Sequence, residues 1–213
     1  FVGMGILPLQ APDLAVGEMM RVVKEHGFRG VRVNTNIAGM ELDDPKLETF
    51  YAAAQDLDAM VFTHPQGFTQ PERLGAYNMA NAVGNPLETT LMTARLIFGG
   101  LFERYPKLKL FVSHGGGFFP FYVGRFDQCF YERAECRVHI KRPPSSYLPQ
   151  IYYDTVVFNP AYVGFLTQMV GAGQVMMGTD RPYDMGEKDP LSLVKAVPDR
   201  KSTRLNSSHV SEF

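Results

Sequence analysis

The sequence lacks the features that define several large protein classes. Its longest apolar runs have the length of a β-strand, far below the roughly 20 residues that a membrane-spanning helix needs. Lysine and arginine total 21 against 22 acidic residues, so the net charge of -1 offers no excess of positive charge to nucleic acid. We therefore expect a soluble globular protein that binds neither a membrane nor nucleic acid.

Cysteine is also scarce. The chain contains two, Cys129 and Cys136, and both lie in a charged segment. Two cysteines in such a setting argue against a disulfide framework and suit a reducing compartment. We therefore expect a cytoplasmic protein.

A third missing feature is the GxGxxG fingerprint that follows the first strand of a dinucleotide-binding sheet. The glycines at 115–117 lead instead into FFPF, which we interpret as a loop. The chain does contain continuous apolar runs separated by helical patterns, as is typical of parallel strands buried on both faces. The strand-like runs are residues 1–7, 31–37, 60–65, 108–114, 151–158 and 174–180, and the helical patterns are 15–28, 45–57, 86–105 and 159–171.

Four polar residues lie at or near the carboxyl ends of these runs: His64, His114, Asp154 and Asp180. In a closed parallel barrel such ends meet at one active-site mouth. We therefore predict an α/β fold, an incomplete (β/α)8 TIM barrel with about six of the eight strand–helix units. We expect one barrel domain over residues 1–198, with the two remaining units upstream of Phe1.

The last residues do not continue this pattern. The stretch DRKSTRLNSSH at 199–209 resembles the translation of a sequencing adaptor. We therefore predict that residues 199–213 are a non-native tail and leave them out of the fold.

His64 and Asp180 are candidate metal ligands. His64 follows an apolar run and precedes a turn, and imidazole is a common ligand of first-row metals, although a lone histidine here also suits a half-buried side chain. Asp180 ends VMMGTD, where an unpaired buried carboxylate is costly. It must be paired, bound to a metal or protonated, unless it caps the segment that follows.

His114 is a candidate catalytic residue, and three glycines follow it. A turn that needs positive φ angles explains part of this pattern. Three glycines exceed the need of one turn, and their missing side chains would let a flat ligand lie against backbone N–H groups that are free to meet an anion. We predict that Gly115 and Gly116 bind the substrate.

Arg125 and Asp154 have less specific surroundings. The planar guanidinium of Arg125 suits a substrate carboxylate, and the alternative is an ion pair with Asp127 or Glu132. Asp154 either accepts hydrogen bonds from a neighbouring strand end or orients His114.

Four motifs together resemble the metal-dependent decarboxylases of the amidohydrolase superfamily. They are HPQG at 64–67, FVSHGGGFFPFYVGR at 111–125, YYDT at 152–155 and GTDRPYDMGE at 178–187, and the resemblance runs over residues 1–198. The family is a (β/α)8 barrel that binds one divalent metal, usually zinc. One departure is GTDRP, where the family more often has GTDYP.

The resemblance implies a role for each candidate residue. His64 and Asp180 match metal ligands, and His114 matches a histidine that acts in proton transfer. Arg125 matches an arginine that binds the substrate carboxylate, in some members across a homodimer interface. The family's HxH pair of metal ligands has no counterpart here, and we expect it upstream of Phe1.

The implied activity is metal-dependent, non-oxidative decarboxylation of a small unsaturated or aromatic carboxylic acid, with Zn²⁺ or another divalent metal. A first alternative is hydrolysis of a lactone or amide, because the same barrel supports both reactions. A second alternative is an incomplete barrel without activity, which we expect to bind zinc weakly.

Overall fold

In the computed structural model, which describes residues 2–67 and 71–197, six strands form one parallel sheet. A separate antiparallel hairpin is formed by β3 and β4. The strands are β1 (Met4–Ile6), β2 (Gly30–Asn34), β3 (Asn36–Ile37), β4 (Met40–Glu41), β5 (Met60–His64), β6 (Lys109–Val112), β7 (Ile151–Asp154) and β8 (Val175–Met176). The predicted tail at 199–213 lies outside the described residues.

The order of strands in the sheet follows the order of the chain. The sheet runs β1-β2-β5-β6-β7-β8, and every neighbouring pair is parallel. A doubly wound sheet reverses its strand order at one point, whereas a (β/α)8 barrel adds each strand beside the previous one. The sheet therefore confirms the predicted α/β fold, with six consecutive strands of a barrel.

Seven helices connect or follow these strands in the described part of the chain. They are α1 (Pro12–Lys24), α2 (Glu48–Asp56), α3 (Asn85–Phe98), α4 (Leu101–Arg104), α5 (Phe119–Glu132), α6 (Pro160–Val170) and α7 (Pro190–Lys195). Among the described residues, none of these helices is long and apolar enough to cross a membrane.

Side chains cap the start of two helical segments. The Asn159 side chain accepts a hydrogen bond from the backbone N–H of Ala161, and Pro160 occupies the first turn of α6. Asp44 caps the 3-10 turn before α2 in the same way, by accepting from Lys46. These local signals fix where the chain leaves a loop and enters a helix.

The interpretation of FFPF as a loop is wrong, because this segment begins α5. Pro120 lies in the first turn, where a missing N–H costs nothing. Phe119, Val123 and Phe130 are buried, so one face of the helix packs into the core. Aromatic residues on both faces conceal this periodicity in the sequence.

The sheet separates a helix-packed core from a cavity. On the core side, Val31, Val33, Val61, Leu110 and Val112 are at most 4% exposed. The alternate residues of the same strands face the other side, as the period of two in a strand requires. There they line a cavity of about 1320 Å³, which extends to the carboxyl ends of the strands.

Candidate metal centre

His64 is the last residue of β5 and lines the cavity beside the carboxyl ends of the strands. Its Nε2 lies 3.4 Å from Oδ1 of Asp180. Its ring meets the His114 ring edge to face, with 5.0 Å between the centroids. The regular strand therefore delivers one imidazole to the rim of the cavity.

His114 begins a short 3-10 turn two residues after β6 and has a left-handed φ of +56°. Its Nε2 lies 3.9 Å from Oδ2 of Asp180. A non-glycine residue with this backbone conformation is uncommon and needs support from its surroundings. That support comes from a neighbouring strand.

The Asp154 carboxylate, at the end of β7, holds this turn. Oδ2 accepts from the backbone N–H of His114 at 3.0 Å, and Oδ1 accepts from Gly115 at 2.8 Å and from Val156 at 3.0 Å. Burial raises the pKa of Asp154 to about 6, although the three N–H donors favour the ionised form. The prediction that Asp154 accepts hydrogen bonds from the neighbouring strand end is thus matched, and these bonds also fix the backbone of His114.

Asp180 follows β8 and also has a left-handed backbone, with φ of +54°. The segment is anchored on both sides, because Gly178 donates to the Thr155 hydroxyl at 3.1 Å and Glu187 donates to the Thr179 carbonyl at 2.7 Å. The Asp180 side chain is 17% exposed. Its carboxylate therefore reaches both histidines and remains accessible from the cavity.

His64, His114 and Asp180 form a candidate metal centre, with one ligand atom from each lying within 4.8 Å of the others. Two ligands at about 2.1 Å from one ion lie at most about 4.2 Å apart, and the separations of 3.4 Å and 3.9 Å to Asp180 satisfy this limit. Burial lowers the pKa of both histidines, and the Asp180 charge opposes the shift. Two neutral imidazoles and a carboxylate suit a divalent first-row metal.

In the structure, Gly115 and Gly116 are required for a different reason from the one predicted from the sequence. A Cβ on Gly115 would overlap Val157, and one on Gly116 would lie 2.8 Å from the Tyr153 ring, so protein side chains fill the space. The Gly115 N–H is taken by Asp154. Left-handed φ angles of +59° and +80° add a second need for glycine. That their backbone touches a substrate stays a prediction.

Arg125 lies on α5 with an exposed side chain, and it is not among the residues that line the cavity. In the described part of the chain, it forms no ion pair with Asp127 or Glu132. Its role in binding a substrate carboxylate therefore stays a prediction.

The sequence interpretation missed polar residues of the cavity wall. Arg32 is half-buried on β2 and lines the cavity. Asn34, on the same face of β2, is also half-buried and donates to the side chain of Gln66, a lining residue, at 3.0 Å. Tyr183 lies nearly parallel to the His64 ring, at 6.4 Å between centroids. Two polar residues that alternate with valines in VRVN were the available signal.

The sequence is similar to a protein family model and to several known enzymes. Residues 1–202 match the family model described as amidohydrolase. A 2-amino-3-carboxymuconate-6-semialdehyde decarboxylase from Dictyostelium discoideum is 35% identical over 204 residues, which cover 95% of this chain and 57% of that protein. A gamma-resorcylate decarboxylase from Polaromonas sp. is 30% identical and is covered to 60%, with 86% of this chain aligned.

Solved structures show the same architecture. The 5-carboxyvanillate decarboxylase from Sphingomonas paucimobilis has a TM-score of 0.89 at 24% identity, with 100% of this chain and 66% of that chain covered. A manganese-bound 5-carboxyvanillate decarboxylase from Novosphingobium aromaticivorans has a TM-score of 0.83 at 25% identity, with 96% and 62% covered. The chain thus spans a little over half the length of the curated relatives described above.

Proposed function

The chain belongs to the amidohydrolase family, and we propose from this that it carries the metal centre of a non-oxidative decarboxylase. The substrate would be a small unsaturated or aromatic carboxylic acid. The observation that carries the proposal is the meeting of His64, His114 and Asp180 from three separate strand ends. The two curated relatives above are both named as decarboxylases, which supports the same reaction class.

His64 and Asp180 are the proposed metal ligands, and His114 lies close enough to both to act on a group bound at the same centre. Zinc is the metal implied by the family resemblance, and the manganese in a related structure supports a divalent ion more generally. When bound, such an ion polarises substrate oxygens and lowers the pKa of bound water.

His114 is proposed to transfer a proton. Loss of CO2 from an unsaturated carbon leaves an unstable carbanion, so protonation of that carbon must come early. Burial lowers the pKa of His114, so its ring is largely neutral near pH 7. The ring can take a proton from solvent and pass it to the substrate carbon, whose bond to CO2 then breaks, which leaves the ring neutral again. The hydrogen bonds from Asp154 keep the backbone that carries this ring in place.

The cavity wall suits a flat acid. Phe62 and Phe111 stack with 4.7 Å between their centroids and, with Tyr152, give the cavity an aromatic face. We propose that Gly115 and Gly116 border the substrate at the rim. Arg125 is exposed and does not line this chain's own cavity, so its proposed carboxylate contact would be made across a homodimer interface.

Metal binding and CO2 release test the proposal together. Purified protein is dialysed with Mn²⁺ or Zn²⁺, its bound metal is measured, and it is then incubated with 2,6-dihydroxybenzoate and related aromatic acids. We expect about one metal ion per chain and CO2 release that depends on the metal. Failure to bind a metal would contradict the proposal and favour an incomplete barrel without activity.

The hydrolase alternative gives a different product. With a lactone or an amide as substrate, ring opening or amine release without CO2 would support hydrolysis. A 2-keto-4-carboxy-3-hexenedioate hydratase from Sphingobium sp. is 27% identical to this chain over 205 residues, so the relatives include a protein named for the addition of water. Product analysis by mass spectrometry separates the loss of CO2 from the addition of water.

A further inference from the structure

The cavity face of β2 carries a cation that the proposed chemistry does not use. Val31 and Val33 are buried against the helices, whereas Arg32 lines the cavity and Asn34 lies on the same face of the strand, and both are half-buried. Asn34 is paired in register with His64, so it lies at the level of the metal centre. Arg32 lies one inward-facing position deeper in the cavity.

Arg32 lies in a layer that is otherwise uncharged. The register of the sheet places one residue of each of five neighbouring strands at the same level, and all five line the cavity. They are Ile6, Arg32, Phe62, Phe111 and Tyr152. A guanidinium therefore stands among one aliphatic and three aromatic side chains.

No acidic residue in the described ranges 2–67 and 71–197 forms an ion pair with Arg32. The two carboxylates that line the same cavity have other contacts. Asp154 is engaged by three backbone N–H groups, and Asp180 faces the two histidines. The positive charge of Arg32 thus has no counter-charge within the described structure.

The other arginines that line the cavity are placed differently. Arg181 donates to the backbone carbonyls of Glu187 and Lys188, at 3.2 Å and 2.7 Å. Arg29 is exposed and precedes β2, at the end of the sheet away from the metal centre. Arg32 therefore combines a position near the metal centre with donors that have no protein partner in the described residues.

A half-buried cation among apolar side chains gains from an anion that replaces its lost hydration. A guanidinium offers a planar pair of N–H donors that match a carboxylate. We infer that Arg32 is a specificity-determining residue, which binds a second anionic group of the substrate while the first lies at the metal centre. This inference rests on the proposed function, because it takes the substrate to be an acid bound at that centre.

The separation of the two anionic groups follows from the strand. Adjacent inward-facing positions on β2 are about 6.6 Å apart, which is the rise over two residues. The second anion should therefore stand a short distance from the first on one rigid ring. Benzene-1,3-dicarboxylate is a suitable probe, and its monomethyl ester keeps the shape while removing one charge.

Calorimetric titration of Mn²⁺-loaded protein with these two probes tests the inference. We expect the wild type to bind the diacid about tenfold more tightly than the ester, as one charge-assisted hydrogen-bonded pair allows. Arg32→Met should remove this preference and leave the affinity for the ester unchanged. Arg32→Lys should keep part of it, and Arg29→Met, the matched control, should keep all of it.

Salt provides a second measurement that needs no variant. The preference for the diacid arises from charge, and dissolved salt screens interactions between charges that are not fully buried. The preference of the wild type should therefore shrink as the ionic strength rises from about 0.05 M to about 0.5 M. Equal binding of diacid and ester by the wild type, or an undiminished preference in a folded Arg32→Met, would overturn the inference alone. Failure of both acids to bind the metal-loaded protein would overturn the proposed function as well.

Discussion

Two parts of the cavity wall are built in different ways. The metal-site rim, defined as His64, His114 and Asp180, depends on two residues with left-handed backbones and on hydrogen bonds between neighbouring strand ends. The β2 wall, defined as Arg32 and Asn34, depends only on the regular alternation of a strand. Two of the three candidate metal-site groups, His114 and Asp180, thus stand on strained turns, whereas the candidate selective groups stand on a regular strand.

This difference implies different tolerance to change. Strained backbone persists only where its surroundings hold it, so substitutions in or beneath the metal-site rim should affect both stability and metal binding. Side chains on the β2 wall can change while the strand remains paired on both sides. Four substitutions test this comparison.

The largest effect is expected for Asp180→Asn, which removes the carboxylate that faces both histidines. A neutral amide binds a metal ion more weakly than a carboxylate does. Metal affinity should therefore fall by at least about 100-fold, which is more than the loss typical for a residue that only hydrogen-bonds to a ligand. Calorimetric titration with Mn²⁺ and metal analysis after dialysis measure it. Asp184→Asn, an exposed neighbour, is the control, and equal affinities in both variants would remove Asp180 from the centre.

Gly115→Ala should cost on the order of 3 kcal/mol of unfolding free energy. The new Cβ would overlap Val157 while the residue has a left-handed φ, and each problem costs about 1–3 kcal/mol. Urea denaturation measures the loss. In Gly124→Ala, on the exposed side of α5 with no atom within 4 Å, the same change should stabilise by about 0.5–1 kcal/mol. Similar losses in both would contradict the packing explanation.

Asp154→Asn should cost about 2 kcal/mol. The carboxylate accepts hydrogen bonds from three backbone N–H groups. In asparagine an NH2 group replaces one of the two oxygens, so at least one backbone N–H would face another donor. Since the same bonds fix the turn of His114, metal affinity should also fall, by about 10-fold or more. Thermal unfolding and Mn²⁺ titration check the two parts. If the variant is as stable as the wild type and binds Mn²⁺ equally well, the turn at His114 does not depend on the Asp154 carboxylate.

The smallest effect is expected on the β2 wall. Asn34→Ala removes one partly exposed hydrogen bond to Gln66 and should cost under about 1 kcal/mol. Urea denaturation again provides the measurement, and Mn²⁺ affinity should stay within about twofold of the wild type. A loss as large as that of Asp154→Asn would end the distinction between the two parts of the cavity wall.

The sequence predicted the strands better than the segments between them. Five of the six sheet strands lie within the predicted runs, and β2 begins one residue before its run, at Gly30. Continuous apolar stretches indicate burial on both faces, which makes such strands easy to find. The last run was too long, since β8 ends at Met176 and the chain then turns towards Asp180. Helix α5 was missed, because its aromatic residues face both the core and the solvent.

The site was only partly accessible to sequence reasoning. The positions of His64, His114 and Asp180 at strand ends were enough to predict their meeting, since parallel strand ends converge. The reason for the glycines was not accessible, because Val157 and Tyr153 come from the next strand and the loop after it. Arg32 was overlooked because an apolar run was taken as buried on both faces, although one face lines the cavity.

The neighbour-to-neighbour order of the sheet also bears on how the chain acquires its structure. Each sheet strand pairs with the one that was synthesised just before it in the sheet. Assembly can therefore advance from the amino terminus during translation, with each new strand and helix docking onto a finished edge. Asp180 follows β8, the last of these six strands in chain order, so it can join His64 and His114 only after β8 has been added to the sheet.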